Sequence, residues 1–433
     1  MKKLSLPQLL MLNAYWVGLS FMWNALHPII LPAVLVNYVP DAQKNTYLGL
    51  LTFVGLMIAM VVQPLAGALS DSWVSRWGRR RPLMVAGTLF DFVFLVILGW
   101  AGGLLWLFIG YIGLQFSSNI AHGPAQGLLP DVVPEEQLGA ASAWKVFMDM
   151  FSLIIASLAA GRLLDPVTRD PTLIMLVVIG ALAIATLITV FGTRETPSPL
   201  TPLRSTPVGL PKGKENFGAL RALVGEFIHL DLRSNAAYWW LIAERLLFLI
   251  GIYGVQAFAQ YYLQDVLRVP DPPKQTGDLM AVLTITLIIM TLVGGWLSDK
   301  FGTKRLLSIA SYLTALGMLL MLLVRDMRGV MIFGSFLGAG IGLFLTANWT
   351  LANQLAPGDE AGKFLGLTNI ATAGSAAISR LEGPAIDWLN DLHPGQWLGY
   401  SGMFAFGAVC MLLSLLLLRR IEERQALPGT AKI

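Results

Sequence analysis

The sequence predicts an all-α membrane protein of twelve transmembrane helices arranged as two related six-helix bundles. Three observations carry that expectation. Of 433 residues, 55% are hydrophobic and only 13% charged, with a mean hydropathy of +0.66. An average soluble domain carries roughly 25% charge, so this chain cannot cover a globular surface with polar groups and is expected in lipid. Apolar runs long enough to cross the hydrocarbon as a helix, about 20 residues, recur twelve times. A polar signature that follows the second run returns after the eighth. A soluble enzyme, a nucleic-acid binder and a disordered scaffold are excluded as whole-chain readings. The net charge of +4 is what basic loops give a membrane protein, and calls for no nucleic-acid partner. The lone Cys410 cannot make an internal disulfide. Met1-Lys2-Lys3 leads into a long span without a small-residue cleavage pattern, so no cleavable signal peptide is expected.

The first span, about 8–36, carries Tyr15, Trp16, Trp23, Asn24 and His27 before Pro28 and Pro32 disrupt it. Aromatic rings beside amide side chains deep in a span make Trp23 and Asn24 candidate substrate contacts. The second span, 46–70, carries no acid, and the third, 82–101, carries Asp91. The fourth, 103–128, holds Gln115, Asn119, His122 and Gln126, spaced four, three and four. At 3.6 residues per turn they form one stripe, which in lipid must face a wet cavity or another helix. It serves either as donors and acceptors for a polyhydroxy ligand or in hydrogen bonds between helices. The fifth, 138–162, carries Lys145, Asp149 and Ser152; Lys145 and Asp149 can pair across one turn. That pair is either structural or a carboxylate whose protonation is coupled to a ligand. The sixth, 172–192, is apolar.

Residues 193–235 are Pro- and Ser-rich linker, with an amphipathic stretch near 217–232 suited to the membrane surface. The seventh span, 236–264, carries Glu244 and Arg245, then Gln256 and Gln260 along one side. The eighth and ninth cover 277–298 and 305–325. The tenth, 329–354, contributes Asn348. The eleventh, 361–388, has a hydroxyl stripe and then Arg380 and Glu382, and the twelfth covers 397–419. With both termini inside, twenty cations fall on the cytoplasmic side and seven outside, and the bias sets that orientation. The expected organisation is an amino-terminal bundle over 1–192, the linker 193–235, a carboxy-terminal bundle over 236–420 and a cytoplasmic tail over 421–433.

The repeat is specific. Gly67-Ala68-Leu69-Ser70-Asp71 followed by Gly78-Arg79-Arg80-Arg81 returns as Gly295-Trp296-Leu297-Ser298-Asp299 followed by Gly302-Thr303-Lys304-Arg305. Pro134 and Gly139 return as Pro357 and Gly362. Gly67 and Gly295 are expected to let helices approach closely. Asp71 and Asp299 beside Arg76, Arg79, Arg80, Lys304 and Arg305 are expected to form a charge cluster that latches the inner face and breaks when that side opens.

These residues resemble the loop signature of the major facilitator superfamily. The stretch Val62 to Asp71, with Ser75-Arg76-Trp77-Gly78-Arg79-Arg80-Arg81-Pro82, is similar to the sucrose–proton symporters and the related glycoside–pentoside–hexuronide cation symporters. So are Asn119, Gly123-Pro124, Leu128-Leu129 and Asp131, and Trp23 in the first span. The resemblance is specific over about 20–135 and superfamily-level beyond. It implies the major facilitator fold, alternating access and a sugar moved with a cation. Plant members carry an acid where this chain has Gln115 and an arginine where it has Gln126; neither role carries over. Coupling would fall to Asp149, with Lys145. The acids that melibiose-type carriers place in the second span are absent, so their sodium site is not supported. No phosphate loop, nucleophile elbow or metal-spaced cluster is present, and no enzymatic activity or cofactor is expected. The expected protein is a monomeric, multi-pass inner-membrane carrier for a sugar or glycoside driven by a proton, or less simply sodium, gradient. An exporter of amphiphilic compounds and a non-transporting receptor or assembly factor are the rivals.

Overall fold

The structure is a computed structural model and describes residues 3–73, 75–193, 195, 235–356 and 361–421. The expected surface helix of the linker, most of the linker itself, the tail beyond residue 421 and Pro357 lie outside the described residues. Among the described residues no strand occurs. The helices are α1 (Leu6–Leu35), α2 (Lys44–Ser72), α3 (Arg81–Gly99), α4 (Leu104–Val132), α5 (Leu138–Leu163) and α6 (Thr172–Gly192). After the linker come α7 (Ala236–Asp265), α8 (Pro272–Phe301), α9 (Thr303–Met321) and α10 (Met327–Leu355). Then follow α11, in two segments Ala361–Ser379 and Glu382–Leu392, and α12 (Leu398–Leu418).

Eleven of these are long and apolar enough to cross a membrane. The exception is α11, which turns at Arg380 and Leu381 between its segments. Irregular backbone at membrane depth is tolerated only where protein or a water-lined space satisfies it. The other irregular helix is α1. Pro32 has no N–H to give the carbonyl of Pro28, and Leu26–Ile30 widens into a π turn in which the Leu31 N–H reaches back to Leu26 O. The released carbonyls find partners on α7. Tyr261 Oη donates to Pro32 O at 2.9 Å. The Gln260 amide, with its nitrogen turned toward them, donates to Pro28 O and Ile29 O at 3.1 Å.

The repeat seen in the sequence is a repeat of packing. In the first bundle α1 packs on α5 and α6, α2 on α4, α3 on α4, and α3 on α6. In the second, α7 packs on α11 and α12, α8 on α10, α9 on α10, and α9 on α12. Adding six to every helix number in the first set generates the second. The bundles meet through α5 against α8 and α2 against α11, again pairs exchanged by the same symmetry. Both loop glycines of the repeat, Gly78 at φ +97° and Gly302 at φ +87°, adopt the left-handed conformation that side chains disfavour.

One expectation about the repeat is corrected. The positions that must lack a side chain are not Gly67 or Gly295. A Cβ on Gly67 would meet nothing nearer than 3.9 Å, and one on Gly295 would stand in open space. The crowded position is Gly123 on α4, where a Cβ would lie 2.4 Å from Gln63 O and 2.7 Å from Gly67 N. The glycine that the contact requires is on the opposing helix, which a motif within α2 could not reveal.

With every helix crossing once, the ends of α6 and α12 and the starts of α1 and α7 share one side, here the linker face; the opposite side is the far face. The cross-bundle hydrogen bonds cluster at the far face. Lys44 Nζ lies 2.6 Å from Asp265 Oδ1, with the two side chains 3% and 6% exposed, and Tyr400 Oη donates to Asp265 Oδ2 at 2.6 Å. Asn45 Nδ2 and the Thr46 N–H donate to the two oxygens of Asp387 at 2.8 and 2.6 Å. Arg162 and Asp278 join α5 to α8 at 2.7 Å.

Gly123→Ala is expected to lower the thermal unfolding midpoint in detergent, at a cost of about 1–3 kcal/mol for forcing α2 and α4 apart. Gly295→Ala is expected to leave it unchanged or slightly raised. Equal effects of the two substitutions would refute the packing assignment.

Candidate functional site

The fourth-span stripe faces α1 and grows more accessible toward the linker face. Gln115 is 2% exposed and Asn119 5%, His122 is half-buried and Gln126 exposed. The deep pair is hydrogen-bonded within its own bundle. Gln115 Nε2 donates to Tyr111 Oη at 2.8 Å and lies 3.4 Å from His27 Nε2. His27 lies 3.0 Å from Tyr111 Oη and stacks on Trp23 with ring centres 4.7 Å apart. Asn119 Nδ2 donates to Gln115 O at 2.7 Å. Asn24 Nδ2 donates one turn back to Ser20 O at 2.8 Å. Trp23, Gln115 and Asn119 are thus brought together, with His27 and Tyr111, in a hydrogen-bonded plug between α1 and α4.

The shallow pair belongs to a second group. Trp16 on α1 takes the His122 ring edge-on at 5.2 Å, and Gln126 Nε2 lies 3.2 Å from His122 Nε2. Lys145 Nζ sits 3.6 Å from the centre of the Trp16 ring. Asp149 accepts from Ser20 Oγ at 2.7 Å. Lys145 and Asp149 therefore do not form the ion pair that their spacing allowed. The indole face holds the ammonium, and the Ser20 hydroxyl holds the carboxylate. Helical spacing permitted that pairing; better-placed partners on α1 displaced it. Asp91 is also buried, taking a hydrogen bond from Ser117 Oγ at 2.5 Å, with Oδ2 unpartnered.

In the second bundle the predicted amides are dispersed. Asn348 accepts from Arg245 Nη1 at 2.6 Å and donates to Glu244 Oε2 at 2.9 Å. Arg245 Nε also donates to Thr372 Oγ1 at 3.0 Å. Asn348 is thereby committed to bridging the buried Arg245 and Glu244 by hydrogen bonds, and Gln260 to the carbonyls of α1. Of these amides Gln256 reaches a cavity of about 220 Å³, whose walls include Tyr253, Met280, Leu283, Thr284 and Leu345, with Leu153 of α5. That cavity is predominantly apolar. Arg380, 8% exposed, sits at the break in α11 and donates to Tyr253 O at 3.4 Å; its Nε and the Glu382 Oε1 have no partner.

Among the described residues the ion pairs of the expected charge cluster lie in the first bundle. Arg80 meets Asp71 at 2.6 Å and Asp131 at 2.7 Å, and donates to Ser70 Oγ at 2.5 Å. Arg79 pairs with Asp131 at 2.5 Å. Glu195 Oε1 accepts the N–H groups of Arg79 and Arg80 at 2.8 and 2.9 Å. These bonds tie α2, α3, α4 and the start of the linker together inside one bundle, so they need not break when the bundles part. Arg76 is exposed and outside the network. Among the described residues no ion pair joins Asp299 to Lys304 or Arg305, and Lys304 instead donates to Ile421 O at 2.5 Å. The first cluster needs Asp131 as its hub; the repeat register puts Gln354 there in the second half.

Sequence reasoning missed Tyr111, Ser20 and the far-face partners Asp265 and Asp387. The signal available for the last two was an acid near the end of α7 and another in α11, each too costly to leave unpaired near lipid.

The model of the Major Facilitator Superfamily matches residues 9–379. The chain belongs to that superfamily. A sucrose transport protein of Arabidopsis thaliana is 27% identical over 150 residues, covering 31% of this chain and 29% of that protein. Solute carrier family 45 member 3 of Mus musculus is 30% identical over 159 residues, 34% of this chain and 28% of its own. A probable inositol transporter of Arabidopsis thaliana is 25% identical over 167 residues, 37% and 28%. The matched stretches span less than a third of these relatives' own length. A bacterial homologue of the lysosomal transporter Spinster, in an inward-facing and unoccupied conformation, superposes with a TM-score of 0.73 at 16% identity, covering 98% of each chain. A D-xylose–proton symporter superposes at 0.71 and 16% identity, covering 96% of this chain and 98% of its own. These likenesses share the fold of this multi-pass integral membrane protein.

If the far-face bonds hold the bundles closed there, Asp265→Asn leaves the buried Lys44 with only the exposed Asp41, 3.6 Å away, at a cost of several kcal/mol to that state. A Gln126→Cys reporter in purified protein is expected to react with a polar maleimide from the linker face. Adding Asp265→Asn is expected to slow that reaction severalfold, and an unchanged rate would refute the assignment.

Proposed function

We propose that this protein is a secondary carrier moving a small polar solute, a sugar or glycoside, by alternating access coupled to a proton gradient. The observation that carries the reading is the group Trp16, His122, Gln126, Lys145 and Asp149. It gathers an aromatic ring, two hydrogen-bonding side chains and two opposite charges that do not pair with each other on α1, α4 and α5 of the first bundle. An indole face and amide edges suit a polyhydroxy ring. A carboxylate held only by the Ser20 hydroxyl, with Lys145 taken up by Trp16, is free to exchange a proton. The names of the relatives, a sucrose and an inositol transporter, and of the fold neighbour, a D-xylose–proton symporter, support the same class.

In this reading the linker face is cytoplasmic and the far-face bonds describe a state closed outward. Trp23, Gln115 and Asn119, with His27 and Tyr111, form the floor of the path, and Trp16, His122 and Gln126 meet the solute. Asp149 couples, with Lys145 tuning it. Gln256 is the contact offered by the second bundle. The Asp71, Arg79, Arg80 and Asp131 cluster keeps the linker-face ends of α2, α3 and α4 moving as one piece. Absence of an ATP site leaves an ion gradient, proton before sodium, as the energy source. The apolar character of the cavity beside Gln256 favours a second reading, an exporter of amphiphilic compounds.

Proteoliposomes with an imposed pH gradient separate the two. Substrate-dependent proton uptake with one member of a mono- and disaccharide panel is expected. Proton flux evoked only by amphiphilic cations would favour the exporter. Asp149→Asn is expected to abolish gradient-driven accumulation while preserving exchange of labelled solute, and unchanged accumulation would remove Asp149 from the coupling step.

A further inference from the structure

We propose that the lipid-facing seam between α3 and α6 at the linker face is a binding site for one anionic diacyl phospholipid, its phosphate held by Arg76 and Arg81. The site is built from two concave grooves. One, of about 630 Å³, is walled by Val85, Leu89 and Phe92 of α3 and by Ala183, Leu187 and Val190 of α6. The other, of about 540 Å³, runs past Pro82 and Ala86. Both contain Arg76, Trp77, Val85 and Leu89, and Arg81 lines the first. Two apolar furrows sharing one cationic end match two acyl chains under one phosphate.

Charge selects the headgroup. Arg79 and Arg80 spend their guanidinium groups on Asp131 and Asp71. Among the described residues Arg76 and Arg81 have no ion pair, and the Nε and Nη2 of Arg81 are buried without a hydrogen-bond partner. Glu195 is the nearby acid, and it accepts the backbone N–H groups of residues 79–81. Among the described residues four arginines, Arg76 and Arg79 to Arg81, therefore stand against Asp71, Asp131 and Glu195, which leaves the cluster able to accept an anion. Depth agrees. Arg81 starts α3 and Gly192 ends α6, so the cations lie at the membrane–water boundary. Trp77, 65% exposed beside them, is the residue type enriched there. Basic pockets between transmembrane helices bind anionic headgroups in this way. An acyl chain in these furrows, with its phosphate on the α2–α3 loop, would brace that loop against the helix pair α3 and α6.

Delipidated protein in neutral detergent is titrated with dioleoylphosphatidylglycerol or dioleoylphosphatidylcholine and read by native mass spectrometry and thermal unfolding. Phosphatidylglycerol is expected to remain as a single adduct under activation that strips phosphatidylcholine, and to raise the unfolding midpoint. Arg76→Gln with Arg81→Gln is expected to weaken phosphatidylglycerol about tenfold or more, since each basic residue at an anionic surface contributes a factor of roughly five. Arg419→Gln with Arg420→Gln removes the same charge from exposed positions on the same face and is expected to leave the adduct intact. Ala183→Trp fills the larger furrow with the arginines untouched and is expected to displace the lipid equally. Equal retention of the two lipids overturns the proposal. So does equal loss in the two arginine pairs, or the same stabilisation by inorganic phosphate alone, which marks a free-anion site. If the double variant fails to fold, retention of the adduct by Ala183→Trp overturns the proposal by itself.

Discussion

Hydrocarbon offers no hydrogen bonds, and that single constraint organises the molecule. Every polar group carried into a span must be satisfied by protein or by enclosed water. The apolar helices place their leucines, valines and phenylalanines outward, as at Leu89, Phe90 and Val93 on α3 and Leu292 and Trp296 on α8. What remains, amides, hydroxyls and charges, is driven inward to the seams. Because each bundle packs its six helices by the same pairwise scheme, the polar seams of the two bundles face one another. The candidate site follows from where unsatisfiable groups are allowed to stand.

Polar groups settle differently at the two ends of that interface. Toward the far face they pair across the bundles, and Lys44 with Asp265 and Asn45 with Asp387 form a seal. Toward the linker face they pair within one bundle. Arg79 and Arg80 bind Asp71 and Asp131, and Lys145 turns to Trp16. A cross-bundle bond resists separation of the bundles, and a bond within one bundle does not. The irregular backbone lies near the seal. The π turn of α1 releases carbonyls that α7 accepts, and the break in α11 carries Arg380 beside Tyr253.

The two halves have diverged most where chemistry is expected. The first copy keeps Asp131 as the hub of its charge network and carries the half-buried His122 and the exposed Gln126 on α4. The second replaces the hub with Gln354 and spends Asn348 on Glu244 and Arg245. It offers an apolar cavity instead of a polar wall.

The sequence by itself determined the class, the spans and the duplication. Hydropathy over about 20 residues is a local property, and the glycines of the loop signature, Gly78 and Gly302, are fixed by a local backbone conformation. It also identified the polar stripe of α4, since residues four and three apart must share a helix face. Only the tertiary structure decided who meets whom. Lys145 and Asp149 stand at a spacing that permits pairing, yet Trp16 and Ser20 from α1 take them. Gly67 carries the motif, yet Gly123 carries the close approach. Asp299, Lys304 and Arg305 repeat the signature without the acid that would bind them. In each case the partner comes from another helix, far along the chain. Its position is set by how whole helices pack, and no pattern along one helix encodes that.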